Sequence, residues 1–107
     1  MKTIKFRNHL AELVLKGEKN TTWRLFDDKN LQTGDVVDFI NWDTGEKFAE
    51  AEILKVYEKT LSTLDDIDWE GHERFSSEEE MYKTYKEYYG DKVDKDTIVK
   101  IIRFKLL

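Results

Sequence analysis

The period of the hydrophobic positions changes several times along the chain, and each change marks an element. Lys2 to Phe6 alternates polar and apolar side chains, the period of a short strand. His9 to Lys16 places Leu10, Leu13 and Val14 on one face, the spacing of a helix. Asn8 before it is a good N-cap, because its side chain can accept from a free amide of the first turn. Gly17 after it tolerates the left-handed conformation that closes a helix. Thr21 to Leu25, rich in β-branched and aromatic residues, reads as a second strand.

The polar run Asp27-Asp28-Lys29-Asn30 is a loop, and Thr33-Gly34-Asp35 is a turn. Val36 to Trp42 is the next strand, and Asp43 to Glu46 carries a hairpin signal with Gly45 at the positive-φ position. Lys47 to Tyr57 returns as a long strand whose imperfect alternation predicts a bulge or a strong curl. Leu61 to Arg74 has no clear period and is acidic, with Leu64, Ile67 and Trp69 as its expected anchors. Two overlapping capping boxes, Ser76 with Glu79 and Ser77 with Glu80, open a second helix. Its buried stripe is Met81, Tyr85 and Tyr88 or Tyr89, and Gly90 ends it. Thr97 to Leu107 is a final strand with Ile98, Lys100, Ile102, Phe104 and Leu106 on one face. Two main helices separated by a run of strands predict an α+β fold, a small curled mixed sheet or open barrel.

Composition narrows the chemistry. The 107 residues suit one domain, and 39% apolar with 13% aromatic residues is enough for a small core. There is no Cys, which removes disulfides, thiol nucleophiles and cysteine metal sites. Two His exclude a His-rich metal cage. Asp65, Asp66 and Asp68 lack the Gly and the bidentate Glu of a calcium loop. No metal or other cofactor is expected. No run is long enough to span a bilayer, and the N-terminus has no leader-like apolar segment, so a cytoplasmic protein without a membrane partner is expected, a monomer by default. The net charge of −5 disfavours broad phosphate neutralisation and suits a small ligand better.

The segment Gly17 to Arg24 carries the chemistry. Lys19 sits in the turn after the helix, and Thr22 and Arg24 share one face of the strand. An amine, a hydroxyl and a guanidinium on one spot can bind an anion or activate the hydroxyl; the plain alternative is a turn with solvated charges. Gly17, Lys19, Thr22 and Arg24, followed by Thr33-Gly34-Asp35, resemble the signature of the ASCH domain family, a branch of the PUA-like superfamily. The similarity runs over nearly the whole chain. It resembles most the small bacterial members that hydrolyse N4-acetylcytidine, although Tyr89 stands where a Pro is common.

That resemblance implies a catalytic set of Lys19, Thr22 and a Glu before the late helix, here Glu73, with Glu70 as its competitor. Gly17, Trp23, Arg24 and His72 are the expected substrate contacts. Lys19 would act as base, Thr22 as nucleophile or as orienter of a water, and Glu73 as proton donor to the leaving amine. The expected substrate is a small N4-acylated cytosine nucleoside. RNA is the alternative partner, since many ASCH domains are expected to bind RNA without catalysis. Trp23, Trp42 and Trp69 can stack on bases, but core packing is expected for at least two. Lys92, Lys95, Lys100, Arg103 and Lys105 read as solvated faces.

Overall fold

The computed structural model describes residues 2–27, 29–72 and 74–107. Five strands, β1 (Thr3–Phe6), β2 (Thr21–Leu25), β3 (Val36–Asn41), β4 (Lys47–Thr60) and β5 (Ile98–Leu106), form one mixed sheet in the order β1-β3-β4-β5-β2. The β1–β3 pair is parallel, and the β3–β4, β4–β5 and β5–β2 pairs are antiparallel. The helices are α1 (Asn8–Leu15), a short α2 (Asp66–Trp69) and α3 (Glu78–Tyr89). The sheet curls into a half-barrel, an α+β architecture as the alternation of elements predicts. Register shifts at Phe39/Ile40 and at Ile53/Lys55 supply the curl expected of the long strand.

Each face of the sheet carries its own core. α1 covers one face, with Ala11 and Val14 packed on Phe6, Phe39, Ile53, Ile102 and Phe104. Phe39 meets Phe6 and Phe104 edge-on at 4.8 Å each, the aromatic geometry that adds to plain area burial. α3 covers the other face, with Met81 and Tyr85 on Trp23, Leu61, Val99 and Ile101. β5 therefore buries both sides, Ile102 and Phe104 toward α1, Val99 and Ile101 toward α3. On the face that Ile98, Lys100, Ile102, Phe104 and Leu106 share, Ile98 and Leu106 are exposed because they lie at the strand ends.

Several boundaries also move. α1 begins at Asn8, and the Asn8 amide is capped by Asp43 Oδ2 at 2.8 Å, from the β3–β4 turn instead of its own neighbourhood. β3 stops at Asn41, and the Trp42 amide instead donates to the Phe6 carbonyl at 2.7 Å. β4 runs on to Thr60, since its last residues still pair with Ile98 to Lys100. In the middle segment Ile67 is exposed and anchors nothing; Leu61, Asp68 and His72 are buried there. Of the two capping boxes, Ser77 is the one used, its Oγ accepting from the Glu80 amide at 3.1 Å. No helix among the described residues is long and apolar enough to cross a membrane.

Candidate functional site

The end of α1 sets the site. Gly17 has φ +77, the Gly17 amide donates to the Val14 carbonyl, and the Glu18 amide donates to the Leu13 carbonyl. This is a Schellman ending, with glycine at its left-handed position. The reversal turns Lys19 inward, where it is only 2% exposed and its Nζ donates to the Thr21 carbonyl at 2.9 Å. Thr22 is also buried. In β2, Thr22 and Arg24 face the α1 side, while Trp23 and Leu25 face the α3 side, as their partners Ile102 and Ile101 require.

A second segment locks onto this turn. The amides of Asn20 and Thr21 both donate to the Gly71 carbonyl, at 2.9 and 3.0 Å. That places His72 against Trp23, ring on ring, with centroids 4.0 Å apart. His72 is buried, and its Nε2 lies 3.4 Å from the Tyr85 hydroxyl. Trp23 is held from behind by its indole N–H donating to the Asp68 carbonyl at 3.2 Å and by Trp69 edge-on at 4.4 Å.

Asp68 ties this back wall to the sheet. Its side chain is fully buried and accepts from the Tyr57 hydroxyl at 2.6 Å, Lys59 Nζ at 2.7 Å and the Asp65 amide at 2.7 Å. Burial alone pushes its carboxyl up, but the Asp65 amide, Lys59 and Tyr57 outweigh it and hold Asp68 below the ordinary carboxylate value. Lys59 is raised, first by its hydrogen bond to Asp68. Tyr57 is raised by burial and by Asp68. Asp68 is thus a structural anion, not the solvated acid that its neighbours Asp65 and Asp66 suggest.

Lys19, Thr22, Trp23, His72 and Tyr85 open onto a cavity of about 350 Å³, within the range of small-molecule sites. It lies between β1 and β2, the two outer strands of the curled sheet, where the Arg24 guanidinium sits 4.8 Å from the Phe6 ring centroid. Of the residues expected from sequence, Lys19, Thr22, Trp23, Arg24 and His72 all line it. Gly17 does not; it shapes the turn from the exposed helix end. Glu73 lies outside the described residues. Lys100, expected on a solvated face, is instead paired with Asp27 at 3.0 Å, both largely buried, beside Arg24 across the ladder. Among the described residues no group of three or more His, Asp or Glu is placed to hold a metal ion.

Sequence reasoning missed other lining residues, Tyr85, Phe26, Lys5 and Arg7 among them. Tyr85 was legible only as helix stripe. Phe26 is half-exposed at the mouth with φ +55, a backbone conformation unusual for a bulky side chain. Lys5 and Arg7 sit at the rim over Trp42, which is 54% exposed. Strict alternation in β1 puts Lys5 and Arg7 on one side, a signal present in the sequence; their meeting with Trp42 depends on the parallel pairing of β1 with β3.

Among solved structures the chain is similar to protein EF3133 from Enterococcus faecalis, with 17% identity, TM-score 0.77, and 94% of this chain and 71% of that one covered. It is also similar to an ASCH domain from Lactobacillus crispatus, with 19% identity, TM-score 0.73, and 98% and 79% covered. The hypothetical protein PH0355 aligns over 100% of both chains at 22% identity and TM-score 0.74. At these identities the likeness is one of fold. No curated protein matches it significantly in sequence. The sequence profile of the ASCH domain matches residues 1–107. With the half-barrel, the Gly17 to Arg24 turn and the cavity it lines, that full-length match means the chain belongs to the ASCH domain family.

Proposed function

We propose that the protein is an amidohydrolase that removes the acyl group from N4-acylated cytosine nucleosides. The observation that carries this reading is a buried amine, Lys19, sharing one small cavity with the Thr22 hydroxyl, the Arg24 guanidinium and the Trp23–His72 stack. The cavity size suits a nucleoside, and its aromatic wall offers surfaces on which a base can stack.

The chemistry follows from those groups. In its neutral form the Lys19 amine can take the Thr22 proton. The Thr22 oxygen then forms a bond to the acyl carbon, and the carbonyl electrons move to oxygen, where Arg24 offers a compensating charge. When that tetrahedral centre collapses, the bond from carbon to N4 breaks and the amine leaves with a proton. Glu73 carries over from the family motif as that proton's donor. Water then cleaves the acyl ester, releasing carboxylate and restoring Thr22. A water activated by Lys19 and oriented by Thr22 reaches the same products in one addition.

Incubation with N4-acetylcytidine, followed by chromatography for cytidine and acetate, tests this directly. Stoichiometric appearance of both products is expected. An inert protein that binds RNA with a steep salt dependence transfers the cleft to the non-enzymatic RNA-binding reading.

A further inference from the structure

The mouth of the cavity differs in kind from its interior. Lys5 and Arg7 project from alternate positions of β1 and its end, toward the indole of Trp42. Lys5 Nζ is 5.2 Å and the Arg7 guanidinium carbon 5.1 Å from that ring centroid. The Arg7 group also lies 5.4 Å from the centroid of Tyr88, on α3. Lys5, Arg7 and Trp42 are all exposed, and all line the cavity. Among the described residues neither Lys5 nor Arg7 has a carboxylate within salt-bridge distance, although the chain as a whole is acidic.

Lys29, exposed at the wall, adds a third cation, its Nζ donating to the Thr3 carbonyl at 2.6 Å. The described acid on the lining, Asp27, is neutralised by Lys100. A concave site walled by cations focuses positive potential and selects anions. A bare nucleoside is neutral and leaves that field unused.

We infer that Lys5 and Arg7, held over Trp42, form a phosphate subsite, so that the preferred substrate is an N4-acylated cytosine nucleotide whose sugar carries a phosphate ester. The inference rests on the proposed amidohydrolase reading. With the base inside against the Trp23–His72 wall, the sugar lies toward the mouth and its phosphate reaches the rim. Arg7 offers a forked donor set to phosphate oxygens and Lys5 a point charge, while Trp42 supports both and keeps them extended. Edge strands also carry cations to block unwanted pairing, and β1 is an edge strand. That role does not require two cations to converge on one indole at the lip of a cavity.

The test compares kcat/KM for N4-acetylcytidine with that for its 5′- and 3′-monophosphates, at about 50 and about 200 mM salt. A preference of about tenfold or more for one monophosphate is expected at low salt, shrinking at high salt as the subsite is screened. In Lys5→Gln/Arg7→Gln the ratio should fall to about one. Equal rates for nucleoside and nucleotides overturn the inference, as does a preference that survives the double variant. A short oligonucleotide containing the acetylated base separates the two phosphate sources. If it is processed better than either monophosphate, the phosphate recognised belongs to a chain; if worse, to a free nucleotide. If nothing is hydrolysed, the amidohydrolase reading fails and the subsite is read by binding alone. NMR titration with cytidine and with its monophosphates then decides. Tighter binding of a monophosphate that is lost in the double variant supports the subsite, and equal or absent binding overturns it.

Discussion

Gly71 and Asn20 pack so closely that a Cβ on residue 71 would lie 1.6 Å from Asn20 Oδ1 and 3.2 Å from Thr21 Oγ1. Gly71 also has φ +74, which a side chain resists. Gly71→Ala should therefore destabilise the protein by roughly 1–3 kcal/mol, mainly from the left-handed backbone, with a smaller part from pushing the Asn20 side chain aside. Asn20 is exposed and its amide can swing away. Adding Asn20→Ala should restore the steric part and leave the backbone part. Denaturant midpoints at constant m value measure both; a fully restored double variant would mean that the backbone is unstrained.

Lys19→Ala and Thr22→Ala should each lower kcat/KM on N4-acetylcytidine by at least about 10²-fold, the scale of a positioned base or an activated hydroxyl. Their double variant should lose little more than either single, since the two act as a unit. Lys19→Arg should be nearly as damaging as Lys19→Ala, because Arg cannot give up its proton near neutral pH. Retained activity in Lys19→Arg removes the base role; retained activity in Thr22→Val leaves the activated-water route.

Asp68 links pH to stability with a definite sign. Its carboxyl is depressed in the fold, so its contribution is present above the unfolded value and lost as pH falls through the lower folded one. Asp68→Asn should flatten the acid limb of the stability curve below about pH 4. At pH 7 it should cost roughly 1–3 kcal/mol, through weakened hydrogen bonds to Tyr57, Lys59 and the Asp65 amide. Urea titrations between about pH 3 and 7 compare the slopes; an unchanged acid limb would assign it to other carboxylates.

Phe26 carries a side chain where the backbone favours none. At φ +55 with half its surface exposed, it should tolerate Gly with little change in stability. Relief of the left-handed cost, about 1–2 kcal/mol, offsets the lost ring contact with Tyr89 and the added freedom of the unfolded chain. Phe26→Val should be less stable than Phe26→Gly by about 1–2 kcal/mol, because a β-branched residue suits this conformation least. Thermal melts of the two variants check the order.

The parts legible in the sequence are those governed by short-range geometry. Gly17 closes α1, Ser77 opens α3 and Gly45 turns the hairpin, because each needs only its own φ, ψ or nearest amides. Thr22 and Arg24 could be placed on one face by the period of a strand alone. What sequence could not give depends on partners far along the chain. Asp68 reads as one more surface acid until the sheet brings Tyr57 and Lys59 to it. Lys100 reads as solvated until Asp27 arrives from the other side of the ladder. Ile67 fits an anchor by hydropathy, yet α2 is a single turn that can bury only one side, and Trp69 and Asp68 occupy it. Lys5, Arg7 and Trp42 meet only because β1 pairs parallel to β3.

The two long walls of the cavity belong to the first and last strands of the ladder, with three strands between them. Among the described residues no backbone hydrogen bond ties one wall to the other; the Arg24–Phe6 contact bridges the seam with side chains. The seam can therefore widen by rotation of the side chains that bridge it, while every strand pairing stays intact. Access to the cavity is in this sense decoupled from the stability of the fold. A ligand that fills the seam gains contacts on both lips and stitches together two strands that the chain itself leaves apart.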